Sequence, residues 1–390
     1  MSDRRIAIAH KDYDVRGGGE VLAEELARVF DAPLYVGHGK DENHPEQPDI
    51  DIREIAPESR LHRLMARTGT AARGVAHMIH WRDNAPSYLD EYDTIVMSGN
   101  EPLWTLTEDW QTVVAYTHST PRWMYDLYHD VNGFIGRTYN QFQRRLYEGA
   151  VKRPDLWVAN SDLVARRINK YWDIPPERIE IIYPPVPTDE YDPGMEETGD
   201  YYLYLGRLDE HKKVGEVVRA FNERGDRLVI AGKGPMKAEL ERAANENVEF
   251  AGFVSEAEKR RLYSGAKALI YPAQNEDFGM VPIEAMAAGT PVIGVDEGFT
   301  RYQIQPGENG YLYDRSAAGL ADAINSFERE GAELSEEELA EWASRWFSPE
   351  RFAEEMRAAV TRAEEDTAVT PPWATEENTA RKKLGADVEV

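Results

Sequence analysis

The chain has 390 residues, more than one hydrophobic core usually accommodates, so its length favours two domains. Its net charge is -26, from 71 acidic and 45 basic residues, and so large an acidic excess opposes general binding to nucleic acid. The charge indicates a halophilic protein adapted to high salt, where like charges are screened; the alternative is an ordinary acidic cytosolic protein. The lack of cysteine excludes disulfides and thiolate metal sites.

The sequence near the amino terminus has one apolar run, residues 6–9, which is too short for a signal peptide. No stretch approaches the roughly 18 apolar residues that a membrane-spanning helix needs. We therefore expect a soluble, cytoplasmic protein, with peripheral contact to the inner face of the membrane as an open alternative.

Short apolar runs alternate with helical patterns from the amino terminus onward. Helical spacing extends over residues 20–29 and 162–171. Buried strands are predicted over residues 6–9, 94–97, 113–116, 156–158 and 179–183. Strands that alternate with helices form parallel sheets covered on both faces. This pattern predicts an amino-terminal α/β domain over residues 1–185.

The alternation pauses over residues 186–199, a segment rich in proline and acidic residues that is predicted as a linker. A second α/β domain is predicted over residues 200–345, followed by a carboxyl-terminal helix at 346–364 that can cross back to the first domain. Residues 365–390 are polar and aperiodic, so a mobile tail is predicted. The strands of the second domain are predicted at residues 202–205, 228–231, 248–250, 268–271 and 291–295. The fold class is α/β, with two Rossmann-like, doubly wound parallel sheets facing a central cleft, a common place for a ligand.

The most informative segment covers residues 271–292. A strand ends there, a loop follows, and a helix begins after Gly279 and stops at Gly289. The amide groups in the first turn of such a helix attract phosphate. Glu276 lies in the loop and Glu284 in the helix, so the two carboxylates can reach different parts of an elongated ligand. Carboxylates accept hydrogen bonds from the vicinal hydroxyls of sugars.

A second signal follows the predicted strand at residues 202–205. The strand ends in Gly206-Arg207, and Lys212 and Lys213 follow in a loop. Cations at the carboxyl end of a strand are unexpected in so acidic a chain. They are suited to neutralising a diphosphate as it leaves.

With these two segments the chain resembles the family 4 glycosyltransferases, retaining enzymes with two Rossmann-like domains in the GT-B architecture. The resemblance extends to about residue 363. It depends on the Glu-x7-Glu motif in its Phe-Gly and Glu-Ala-Met-Ala-Ala-Gly-Thr-Pro-Val context, paired with Gly-Arg-Leu-x3-Lys some 70 residues earlier. Each motif alone is moderately specific, and the pair is strong.

The resemblance implies a donor site in the second domain. Arg207 and Lys212 would bind the donor diphosphate, with Lys213 as a neighbouring candidate. Glu284 would hold the nucleotide ribose, and Glu276 would contact hydroxyls of the transferred sugar. The resemblance implies no metal, so neither a metal nor another cofactor is expected.

The same resemblance assigns backbone and base contacts in that domain. The amides of Phe278, Gly279 and Met280 would lie near the sugar and the phosphate. Phe253 or Val254 would lie beside the base. A Gly-x-Gly-Pro turn at residues 232–235 is assigned a packing role, with phosphate contact as the alternative.

In the first domain a glycine loop precedes a helix, and Gly18 and Gly19 in it permit close approach of a ligand. His118 follows a strand, as in the His-x-Pro segment of the family, and the resemblance places it beside the donor sugar. Here one extra residue precedes Pro121, which alters the local geometry.

Each of these residues also has a structural interpretation, as a solvated charge, a strand-end histidine or a tight turn. Asp12–Asp14 and Asp49–Asp51 resemble metal-binding pairs, but such pairs arise by chance in an acidic chain. Residues 58–73 form a basic amphipathic stretch, which we interpret as a surface helix; the alternative is a helix that rests on an anionic membrane or holds a phosphorylated acceptor. A second basic stretch, 137–153, has the same two interpretations.

The resemblance implies transfer of a sugar, expected to be a hexose, from a nucleotide-diphosphate sugar to a glycan, a lipid-linked glycan or a small molecule. One alternative is a nucleotide-sugar epimerase of the same fold. Another is a non-catalytic binding subunit, which would be expected to lack at least one of Glu276, Arg207, Lys212 and Glu284. All four are present.

Overall fold

The computed structural model describes residues 4–11, 13, 17–37, 50–55, 70–125 and 134–365. These residues form two compact units, one that comprises the described residues up to Tyr183 and from Phe352 onward, and one that comprises Pro184–Arg351. The predicted tail after residue 365, residues 58–69 of the amphipathic stretch, and Asp12, Asp14 and Asp49 lie outside the described residues.

The amino-terminal unit contains a parallel sheet with the strand order β3-β2-β1-β4-β5-β6-β7 among its described residues. Apolar residues fill both faces, since helices cover both. Ile8, Val96 and Val114 pack on one face, and Ala7 and Ile95 on the other. The strands are β1 Ile6–His10, β2 Leu34–Val36, β3 Ile52–Glu54, β4 Thr94–Ser98, β5 Thr112–Thr117, β6 Leu156–Ala159 and β7 Ile179–Ile181.

The helices of this unit have identifiable ends. The last turn of the first helix leads into Asp31 in the left-handed conformation, with φ of 47°. The helix at Asp162–Trp172 begins after Ser161, whose hydroxyl accepts a hydrogen bond from the Val164 amide. The helices before residue 184 are α1 Gly18–Phe30, α2 Thr70–Asn84, α3 Pro86–Leu89, α4 Phe134–Ala150 and α5 Asp162–Trp172.

The carboxyl-terminal unit contains a second parallel sheet with the order β10-β9-β8-β11-β12-β13 among its described residues. Its strands are β8 Tyr202–Leu205, β9 Leu228–Ala231, β10 Val248–Gly252, β11 Leu269–Tyr271, β12 Val292–Val295 and β13 Gly310–Tyr313. Its helices are α6 Val214–Arg224, α7 Lys237–Ala243, α8 Glu256–Ser264, α9 Met280–Ala287, α10 Thr300–Gln303, α11 Ala317–Glu330 and α12 Glu336–Phe347. In both sheets the central strands β8 and β1 are flanked by parallel neighbours, which defines the doubly wound α/β class.

The last helix among the described residues, α13 (Pro349–Glu364), packs on the amino-terminal unit: Phe352, Met356 and Val360 are part of that unit's core. Ser348 separates it from α12, so the helix begins at residue 349 and the predicted start at 346 is corrected. Within residues 186–199, Tyr191 is buried against Tyr263 in the carboxyl-terminal unit. Among the described residues, no helix combines the length and the apolar character needed to cross a membrane.

Candidate functional site

Three strand ends converge at the carboxyl edge of the second sheet. The turns after β8, β9 and β10 are joined by backbone hydrogen bonds from Gly206 to Ala231 and from Gly232 to Gly252. Gly232 has a φ of +144°, and a Cβ atom there would lie 1.9 Å from the carbonyl oxygen of Gly206. The Gly-x-Gly-Pro turn is therefore packed tightly against the segment that carries Arg207, in keeping with a packing role for its glycines.

The cations after β8 have different surroundings. Arg207 is 80% exposed, with its guanidinium Nη2 3.4 Å from a carboxylate oxygen of Asp209. Asp209 also accepts hydrogen bonds from the amides of His211 and Lys212, which caps a short turn at residues 210–212. Lys213 follows in the left-handed conformation, with φ of 52°. Arg207 thus extends into solvent, whereas Lys212 is turned toward the neighbouring strand β11.

Lys212 meets the first predicted carboxylate. Its Nζ lies 2.5 Å from Oε2 of Glu276 and 6.0 Å from the centre of the Tyr271 ring. Burial, the charge of Glu276 and a hydrogen bond to it raise the pKa of Tyr271 well above its ordinary value, so this phenol stays neutral. Gly279 lies beside it with φ of +83°, and a Cβ atom there would be 2.7 Å from the Tyr271 hydroxyl. Residues 212, 276 and 279 are therefore brought together.

The loop that carries Glu276 is held by backbone contacts. The amide of Phe299 donates to the carbonyl of Glu276 at 2.8 Å, and the side chain of Gln303 donates to the carbonyl of Gly279 at 3.0 Å. The ring of Phe278 is buried and stacks on Phe299, with 5.5 Å between ring centres. Phe278 can therefore offer a ligand its backbone but not its side chain.

Arg315 also holds the loop that carries Glu276. Its guanidinium forms a two-point pair with Glu297, at 2.6 and 2.9 Å, and contacts Glu216 at 2.9 Å. It also donates to the carbonyl of Pro272 at 3.1 Å, at the start of the loop. The hydrogen bond to Arg315 is the main cause of the lowered pKa of Glu297, which remains ionised. This network fixes the start of the loop that presents Glu276.

Glu284 lies in the second turn of α9 and is 12% exposed. The Tyr263 hydroxyl donates to its Oε2 at 2.8 Å, and Nζ of Lys259 lies 3.4 Å from its Oε1. Burial lowers the pKa of Lys259, but the charges of Glu284 and Glu256 outweigh it and raise that pKa above its ordinary value. Two side chains of α8 therefore hold the Glu284 carboxylate, one at each oxygen.

The base-side candidates lie at the other end of the strand order. Phe253 follows β10 and is 74% exposed. Nζ of Lys233 lies over its ring, 4.5 Å from the ring centre. Val254 comes next and is partly buried. Strand β10 is three positions from β11, roughly 14 Å at the usual strand spacing, so Phe253 and Glu276 are separated along one sheet edge. Met280 opens α9 and is partly buried.

A second group of polar residues lies at the carboxyl edge of the first sheet. His10 ends β1, Ser98 ends β4, and His118 follows β5. The Ser98 hydroxyl lies 3.0 Å from Nδ1 of His10 and 2.9 Å from Nε2 of His118. Gly18 and Gly19 open α1, and a Cβ atom at Gly19 would lie 3.9 Å from both imidazole rings. The glycine loop and His118, predicted separately, are thus neighbours.

Glu20 completes this group. Its carboxylate lies 2.9 Å from Nζ of Lys11, accepts a hydrogen bond from the Gly17 amide at 2.9 Å, and lies 3.7 Å from Nε2 of His10. Burial raises the pKa of Glu20, but its neighbours His10 and Lys11 outweigh burial and hold that pKa well below its usual range. Burial is the main cause that lowers the pKa of His118 to about 3. His118 is therefore a neutral imidazole at physiological pH.

Several residues of both groups are not indicated by any motif in the sequence. Lys259 and Tyr263 are four positions apart on α8, so they share one helix face, and that spacing was the available signal. His10 and Ser98 are polar residues at the ends of otherwise apolar strands, where ligands of parallel sheets bind.

The architecture is that of the GT-B glycosyltransferases. HepE of Anabaena, solved in complex with UDP, matches with a TM-score of 0.70 and 18% identity over 91% of this chain and 99% of that one. Residues 187–346 match the family model of glycosyl transferases group 1, and residues 16–190 match that of glycosyltransferase family 4. The chain belongs to the family 4 type of glycosyltransferases.

Two curated relatives show how far the sequence similarity extends. A D-inositol 3-phosphate glycosyltransferase of Nocardioides is 29% identical over 213 residues, which cover 45% of this chain and 46% of the relative. The O-antigen chain mannosyltransferase RfbU of Salmonella typhimurium is 30% identical over 173 residues, which cover 42% and 48%. The chain thus spans about half the length of the curated relatives it matches.

Proposed function

We propose that this protein is a retaining glycosyltransferase that uses a nucleotide-diphosphate sugar as its donor. The observation that carries the proposal is the grouping of Lys212, Glu276 and the start of helix α9 at one sheet edge, with Glu284 clamped one turn further along that helix. A cation, a helix amino terminus and two carboxyl side chains match the phosphates and the hydroxyls of such a donor.

The diphosphate would bind to Arg207, Lys212 and the first amides of α9. Arg207 is free to rotate because it is largely exposed, whereas Lys212 is paired with Glu276. A diphosphate carries more charge than one carboxylate, so it competes for the ammonium group of Lys212. In the transition state the leaving diphosphate gains charge, and the cations stabilise it there more than in the ground state.

The two carboxylates would hold the two sugars of the donor. Glu284 would accept hydrogen bonds from the ribose hydroxyls, and Tyr263 and Lys259 fix its orientation. Glu276 would accept hydrogen bonds from the transferred sugar. Phe253 and Val254, further along the same edge, would lie beside the base. The structure of HepE in complex with UDP-glucose supports a donor of this class.

In the proposed reaction the bond between the anomeric carbon and the phosphate oxygen breaks as a bond to an acceptor hydroxyl oxygen forms on the same face. The acceptor proton passes to the departing phosphate oxygen, so no protein nucleophile is required. His118 of the amino-terminal unit would accept a hydrogen bond from a substrate hydroxyl. We propose a glycan, a lipid-linked glycan or a small molecule as the acceptor, in keeping with the names of the two curated relatives.

A thermal-shift screen of nucleotide sugars at high salt tests the donor site. A ligand that binds only the folded protein raises its melting temperature, by an amount that depends on concentration and affinity. The correct donor should shift wild type, whereas Arg207→Ala and Glu284→Ala should each abolish the shift. Arg227→Ala and Glu249→Ala remove an exposed ion pair at 2.9 Å elsewhere in the unit and should keep it.

An unchanged shift in both site variants would refute the assignment of the donor site. The reaction itself is tested by incubating the donor with and without candidate acceptors. Transfer to an acceptor supports the proposal, and the proton NMR coupling of the new anomeric centre reports retention. Formation of an isomeric nucleotide sugar from the donor alone would contradict it and favour an epimerase.

A further inference from the structure

The polar group at the carboxyl edge of the first sheet forms a single chain of contacts. It runs from the Glu20 carboxylate to His10 at 3.7 Å, then to the Ser98 hydroxyl at 3.0 Å, and then to Nε2 of His118 at 2.9 Å. His10 and Ser98 are fully buried. Since no bulk water reaches the middle of the chain, the orientation of each hydrogen bond depends on its neighbours.

Glu20 sets the direction of these bonds. Lys11 and the amide of Gly17 hold its carboxylate in place, so a negative charge faces Nε2 of His10. Among the described residues that buried nitrogen has no hydrogen-bond partner. When neutral, His10 places its single proton on Nε2, toward this carboxylate, and its Nδ1 is then a hydrogen-bond acceptor.

The remaining bonds follow from the inventory of donors. Ser98 donates its only hydroxyl proton to Nδ1 of His10, so its oxygen must accept from Nε2 of His118. His118 then carries its proton on Nε2 and leaves Nδ1 with a free lone pair. The desolvation that keeps His118 neutral is required for this arrangement, because an imidazolium would have no lone pair.

We infer that Glu20, His10 and Ser98 are positioning residues that fix His118 in its Nε2–H form, so that its Nδ1 accepts a hydrogen bond from a substrate hydroxyl. Two further contacts support the fixed geometry of His118. The side-chain amide of Asn160 donates to its carbonyl at 2.8 Å, and Gly19 lies against its ring. The substrate part of this inference rests on the proposed function, whereas the protonation pattern does not.

The protonation pattern can be measured directly. In protein labelled with ¹⁵N-histidine, long-range ¹H–¹⁵N correlation at pH 8 distinguishes a protonated ring nitrogen from an unprotonated one. His10→Gln and His118→Gln assign the signals, and His211, in the turn after β8, serves as an internal reference. Wild type should show Nε2–H forms for both His10 and His118. A wild-type His118 protonated on Nδ1 would overturn the inference.

Variants test whether Glu20 and Ser98 fix the protonation pattern of His118. Ser98→Ala removes the hydroxyl, so His118 should change to a mixture of its two neutral forms. Glu20→Gln should also shift the ring-nitrogen signals of His118. Ser98→Thr keeps a hydroxyl and should retain the wild-type spectrum. An unchanged His118 spectrum in both Ser98→Ala and Glu20→Gln would overturn the inference as well.

Kinetics connect the pattern to function once a donor is known. A net hydrogen bond between neutral groups corresponds to roughly a twofold to tenfold effect, so Ser98→Ala should lower kcat/KM by that factor while Ser98→Thr restores it. Equal kcat/KM in Ser98→Ala and wild type would overturn the substrate role. If wild type binds no nucleotide sugar, the proposed function fails. The spectra still decide whether Glu20, His10 and Ser98 fix the protonation pattern of His118.

Discussion

Replacing Tyr263 with phenylalanine isolates the hydroxyl that holds Glu284. The ring is fully buried, and its hydroxyl donates to the Glu284 carboxylate at 2.8 Å. Hydrogen bonds to charged groups contribute about 1.5–3 kcal/mol, and Lys259 still occupies the other carboxylate oxygen in the variant. We therefore expect the free energy of unfolding of the carboxyl-terminal unit to fall by about 2 kcal/mol.

Tyr313→Phe is the matched control. Tyr313 lies in β13 and is also buried, but its hydroxyl has no hydrogen-bond partner among the residues that the structure describes. Removing an unsatisfied buried hydroxyl should leave the stability unchanged or raise it. Urea denaturation at constant salt gives the two stabilities, and hydrogen exchange of helix α8 locates the loss. Equal stability of the two variants would refute the reasoning about Glu284.

Three further predictions concern the glycines, the supporting network and the strand-end histidine. Gly232→Ala should cost about 3 kcal/mol or more in urea denaturation, because its Cβ would lie 1.9 Å from a backbone oxygen, whereas Gly225→Ala, with φ of +80° in open space, should cost about 1 kcal/mol. Arg315→Lys keeps the charge but loses the two-point pair with Glu297, so it should cost about 1–2 kcal/mol by the same assay. The His118 pKa is lower in the folded protein than its ordinary 6.5, so the unfolded chain takes up a proton first. Stability should therefore fall as the pH drops from about 6.5 to about 3, by up to about 1.4 kcal/mol per pH unit, and His118→Asn should flatten this part of the profile.

Each of these predictions has a clear contradiction. Equal costs for Gly232→Ala and Gly225→Ala would show that the turn after β9 relaxes freely. A neutral Arg315→Lys substitution would mean that the two-point pair adds nothing beyond charge. If His118→Asn lost stability with falling pH as wild type does, His118 would titrate alike in the folded and unfolded chains.

Most of the fold was predictable because parallel strands buried on both faces are short apolar runs. The structure confirms the runs at residues 202–205 and 228–231 without change. It adds β2, β3 and β13, which the pattern does not single out. Strand β3 has the sequence Ile-Arg-Glu and lies at a partly exposed sheet edge, and β13 begins at Gly310, where the backbone approaches Val292 closely.

The candidate site was predictable where it is local in sequence. Glu276, Gly279 and Glu284 belong to one strand-loop-helix segment, and the contact with Lys212 follows from the pairing of β8 with β11. The contacts between His10 and Ser98 depend on which strands become neighbours and in which register. These two residues are 88 positions apart, so no local motif indicates their contact.

The central claim is that Glu276 contacts the transferred sugar while the cations bind the diphosphate. Calorimetric titration of Glu276→Ala with the donor found by screening, and with the corresponding nucleoside diphosphate, tests it most directly. We expect the nucleotide sugar to bind at least tenfold more weakly than to wild type, since a charged hydrogen bond is lost. The diphosphate should bind equally well or more tightly, because Lys212 is released from its 2.5 Å pair. Equal weakening of both ligands, or of neither, would contradict the account.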